Sequence, residues 1–77
     1  MMRFYFHLIT DMWRCFKRYA DCKTEEEYRQ AIGDFGYIAD KYIGFGIPKH
    51  TETFVTHIAI EMLDEIGHNL NENKERI

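Results

Sequence analysis

Apolar residues recur every three or four positions through most of this chain, and nowhere do they alternate as a strand requires. Over residues 3–21, Tyr5, Leu8, Ile9, Met12, Phe16 and Tyr19 share one side of a predicted helix, and Phe6 and Trp13 widen it. Arg3, His7, Asp11, Arg14 and Arg18 form the opposite, polar line. A second helix is predicted over 24–43. It opens at Thr24, which can cap the helix while Glu27 reaches back, and Glu25 and Glu26 suit the positive end of its dipole. Tyr28, Ile32, Phe35, Ala39 and Tyr42 carry its apolar side, with Ala31 and Ile38 beside them.

Gly33 and Gly36 lie inside that pattern, each costing a helix about 1 kcal/mol relative to alanine. They either admit another helix closely or mark a bend, and since the periodicity continues across them, close packing is expected. Gly44, Gly46 and Pro48 form a turn. The third helix, over 49–71, has Phe54, Val55, Ile58, Ala59, Met62, Leu63, Ile66 and Leu70 on its apolar side, and residues 72–77 are expected to fray. Short connections favour antiparallel neighbours. The expectation is one all-α domain over residues 1–77, a compact three-helix up-down-up bundle.

Length sharpens this picture. A chain of 77 residues buries only about 60–65% of its unfolded surface, so its core gains from a supplement. Cys15 and Cys22 are separated by about 10.5 Å along a helix axis, too far for a bridge, and are expected as reduced, partly buried thiols of a cytoplasmic protein. The twelve aromatic residues exceed what one small core hides. Ile60 also lies off the third helix's apolar side. Phe6, Trp13 and Ile60 together therefore suggest a second apolar surface and a homodimer or higher oligomer.

Charge is uneven. Residues 1–23 carry +3 and the remainder −6. A basic first helix on an acidic body suits contact within or between subunits, and an acidic body repels duplex nucleic acid. No apolar run approaches a membrane span, and His7 and Asp11 interrupt the opening too soon for a signal peptide.

Few constellations carry chemistry. His57, Glu61, Asp64 and His68 align at spacings of four, three and four, a possible metal line. They fall opposite the apolar side, however, and pair as i, i+4 partners that support a solvated helix. Glu61-Met62-Leu63-Asp64 has the Glu-x-x-Asp form with which all-helical nucleotide pyrophosphohydrolases hold magnesium. The matching pair is missing, because Glu25, Glu26 and Glu27 are consecutive. Serine is absent, and Cys15 has no obvious base. In WRCFKRY, residues 13–19, Trp13, Arg14, Lys17 and Arg18 combine an aromatic ring with cations, as a small anionic nucleotide requires.

The runs FKRYADCKTEEEYRQAI, IADKYIGFG and FVTHIAIEMLDEI resemble short helical proteins of phages and mobile elements of Gram-positive bacteria. The resemblance implies a non-enzymatic accessory protein, and it carries over no catalytic residue and no cofactor. The leading expectation is stoichiometric binding to a partner protein, such as a host or defence protein, through Phe6, Trp13, Ile60 and the basic rim of Arg14, Lys17 and Arg18. Sequestration of a small anionic nucleotide at a subunit interface is the alternative. A metal-dependent hydrolase using His57, Glu61, Asp64 and His68 is the third.

Overall fold

The computed structural model describes residues 2–75, and these form three helices: α1 (Met2–Tyr19), α2 (Glu25–Ile43) and α3 (Lys49–Glu75). They pack into an elongated body of 45 × 17 × 16 Å. Leu8, Met12, Cys15 and Tyr19 of α1 meet Ala31, Phe35 and Tyr42 of α2 and Val55, Ala59, Ile66 and Leu70 of α3, with Cys22 closing the core at the α1–α2 corner. At the opposite end, Phe4, Tyr42 and Phe45 form an edge-to-face cluster with centroids 5.5–6.5 Å apart.

Each helix turns slightly from the orientation its full apolar set predicts. On α1 the core line runs through Leu8, Met12, Cys15 and Tyr19, leaving Ile9 exposed and Tyr5 and Phe16 half-buried. Ile32 on α2 and Phe54 on α3 are exposed as well. The apolar arc of α1 spans more than half its circumference, wider than two neighbouring helices can cover, so one flank stays outside.

Local signals set most helix ends. The Thr24 hydroxyl accepts from the Glu27 amide at 3.1 Å, while the Glu27 carboxylate accepts from the Lys23 amide at 3.4 Å, one residue before the cap. Gly46, with φ of +75°, makes the turn into α3, where a side chain would be strained. The expectation of fraying after residue 71 is corrected, since α3 continues to Glu75. Its last turns are tied down: the Asn69 and Asn73 amides donate to the Ala20 and Cys22 carbonyls at 3.1 Å, and Lys74 meets Glu25 at 2.7 Å. Arg76 and Ile77, the rest of that expected tail, lie outside the described residues.

The expected close approach at Gly33 and Gly36 is overturned too. A Cβ at either would meet nothing within 4 Å. The close glycine is Gly67, where a Cβ would stand 3.3 Å from the Tyr28 hydroxyl oxygen. Beside it, Tyr28 donates to the Leu63 carbonyl at 3.3 Å. Two tyrosine–aspartate bonds join α1 to α2: Tyr42 donates to Asp11 and Tyr19 to Asp34, each at 2.5 Å. Lys41 and Arg18 add longer ion pairs to the same carboxylates at 3.6 and 3.7 Å. The contact of α1 with α3 includes Tyr5 against Phe54, with ring centroids 5.7 Å apart.

Candidate functional site

The flank of α1 left outside the core is itself regular. Met2, Phe6, Ile9, Trp13 and Phe16 step by four, three, four and three residues, the repeat that keeps side chains in one seam along a helix. The first four are exposed and Phe16 is half-buried. Trp13 stacks on Phe16 with centroids 6.0 Å apart and planes 23° from parallel, and Lys17 places its ammonium 5.9 Å from the Trp13 ring. Between these contacts the indole remains about half exposed. Phe54 continues the apolar surface onto α3.

The seam has two unlike borders. On one side lie Arg3, Thr10 and Lys17, each one residue past a seam position, with Arg14 behind them. On the other lies α3. Phe54 and Asn69 both touch α1, and Glu61 and Glu65 fall between them on the same side of α3, exposed. The seam is thus bordered by cations on one edge and carboxylates on the other.

Ile60, expected beside Phe6 and Trp13, is exposed but lies elsewhere. It is seven residues before Gly67, which faces Tyr28, so it belongs to the side of α3 nearer α2. The basic residues also divide. Arg14 and Arg18 line a groove of about 320 Å³ between α1 and α2, together with Asp11, Cys15, Asp34, Tyr37, Ile38 and Lys41, whereas Trp13 and Lys17 belong to the outer seam. Tyr37 and Lys41 had no signal in the sequence, because nothing there indicates which residues of α2 stand opposite Arg14.

Cys15, in the groove, and three groups near it, Tyr42, Tyr19 and Cys22, hold their protons more tightly than usual. Burial, and then the Asp34 carboxylate, push the Cys15 thiol up to about 11. Burial and the bond to Asp11 push the Tyr42 phenol up to about 12. Tyr19 is raised chiefly by its bond to Asp34, and Cys22 by burial. Such thiols are poor nucleophiles near neutral pH.

His57, Glu61, Asp64 and His68 are all exposed. Among the described residues, no three histidine, cysteine or carboxylate side chains converge into a set that could hold a metal ion. None of the described helices is long and apolar enough to cross a membrane. No protein-family model, curated protein or solved structure matches the chain.

Proposed function

We propose that this chain is a non-enzymatic interaction module that binds a polypeptide through the outer seam of α1. One observation carries the reading: a continuous seam of large apolar side chains, Met2, Phe6, Ile9 and Trp13, stands in solvent on a small domain whose core is already filled. Apolar surface of that regularity is stabilised when covered. The resemblance to phage and mobile-element proteins supports the same direction, action by stoichiometric binding of a polypeptide rather than by catalysis. The bundle is read as up-down-up. Contacts between α1 and α2 run in opposite order, Asp11 with Tyr42 and Tyr19 with Asp34. Those between α1 and α3 run in the same order, Tyr5 with Phe54 and Ala20 with Asn69.

A second reading has its own observation. The α1–α2 groove gathers Arg14, Arg18 and Lys41 beside the exposed ring of Tyr37, and so suits a small anionic nucleotide. Asp11 and Asp34 already occupy two of those cations, which makes it the weaker reading.

Native mass spectrometry of protein purified without chelator separates the two. A polypeptide complex that Trp13→Asp dissociates, with helicity unchanged by circular dichroism, supports the module. A retained mass of several hundred daltons, lost in Arg14→Glu but kept in Trp13→Asp, would replace it with the nucleotide reading.

A further inference from the structure

The seam resting on that reading has unlike edges, and they constrain what can cover it. Its exposed fractions are 81% at Met2, 64% at Phe6, 44% at Ile9, 51% at Trp13 and 42% at Phe54. At about 200 Å² for a whole large side chain, these leave roughly 560 Å² of apolar surface. That is most of the ~800 Å² each partner contributes to a stable interface, before the charged borders are counted.

From the two borders we infer that the occupant is a second copy of this chain, with the two α1 helices side by side and running in the same direction. A seam stepping by four and three suits pairing with a helix carrying the same repeat, and Phe6 and Trp13 fall at equivalent positions seven residues apart. Symmetry then decides direction. About a twofold axis parallel to α1, each subunit's α3 edge faces the partner's cationic edge. About an axis in the interface plane and perpendicular to α1, each edge faces its own copy, carboxylates against carboxylates and cations against cations. The first arrangement alone pairs opposite charges.

The levels agree as well. Contacts of α3 with α1 and with the corner that follows it join residues 49 to 51 apart in sequence, which puts Lys17 level with Ile66. In the parallel pair, the partner's Lys17 therefore stands next to the height of Glu65, with Glu61 about one turn away. Charge separation along the chain, basic over residues 1–23 and acidic beyond, thus acquires a use between subunits.

Sedimentation equilibrium on the full chain and three variants tests this. The wild type should be dimeric in the micromolar range. Lys17→Glu, at an exposed position, should weaken the dimer about tenfold, and Lys17→Glu with Glu61→Lys and Glu65→Lys should restore it to within about threefold. Phe6→Asp with Trp13→Asp should leave a folded monomer. Tighter association in Lys17→Glu would overturn the parallel arrangement, since relief of cation–cation contact belongs to the antiparallel one. A chain monomeric up to about 100 μM would overturn the second copy as occupant. If that monomer binds a different polypeptide through Trp13, the interaction module survives without its dimer; if it binds none, both fall.

Discussion

At the scale of single residues, the stability of the core depends on how its few polar atoms are satisfied. The hydroxyl of Thr51 is buried, with no hydrogen-bond partner among the described residues. Replacing both methyl and hydroxyl by the two methyls of valine removes an orphaned polar atom at nearly constant volume. Thr51→Val should therefore stabilise the fold by up to about 1 kcal/mol, read as a higher urea midpoint with unchanged slope. Tyr42 behaves differently, because its hydroxyl has a partner. Its raised pKa means that the folded state holds the phenol proton more tightly than the unfolded chain does. That contribution is complete below about pH 10 and is lost as pH rises through about 12. Tyr42→Phe should cost about 1 kcal/mol at pH 8, and the gap to wild type should close between pH 10 and 12 in urea titrations. A gap constant across that range would mean that neither burial nor Asp11 holds the phenol proton.

At the scale of elements, the helices themselves were legible and their rotation was not. Period fixed all three, and Thr24 and Gly46 fixed two of the ends, because caps and turns depend on neighbours a few residues away. Which half of an apolar arc turns inward depends on where the other helices lie, which no local pattern encodes. Hence the period assigns Ile9 and Phe54 to a core that leaves them exposed, and leaves off the apolar line of α1 the thiol of Cys15, which lies on it. The seam's spacing is present in the sequence but merges with the core set, since the half-buried Tyr5 and Phe16 lie between the two. Gly33 and Gly36 show the same limit. Periodicity around them suggested close packing, whereas space around both is open. Gly33→Ala should stabilise α2 by about 1 kcal/mol and raise the melting temperature by several degrees. No gain at that position would mean that another molecule, rather than another helix, comes close there.

At the scale of the molecule, the candidate site was legible only in parts. Phe6, Trp13 and Lys17 lie on one flank of α1, whereas Ile60 and Arg14, which the sequence groups with them, lie on different sides of the bundle. Sequence proximity and shared chemistry do not determine adjacency once three helices divide the surface among them. The long third helix shows the converse, residues far apart in sequence acting together. Its final turns grip the corner between α1 and α2 through Asn69, Asn73 and Lys74. Amide hydrogens at that corner and in the last turns of α3 should then exchange with solvent as one unit, with shared protection and a single opening free energy. Asn69→Ala with Asn73→Ala should accelerate exchange in both segments about tenfold or more while leaving the centre of α2 near Phe35 unchanged, measured by hydrogen–deuterium exchange mass spectrometry. The end of this chain would then govern how often its first corner opens.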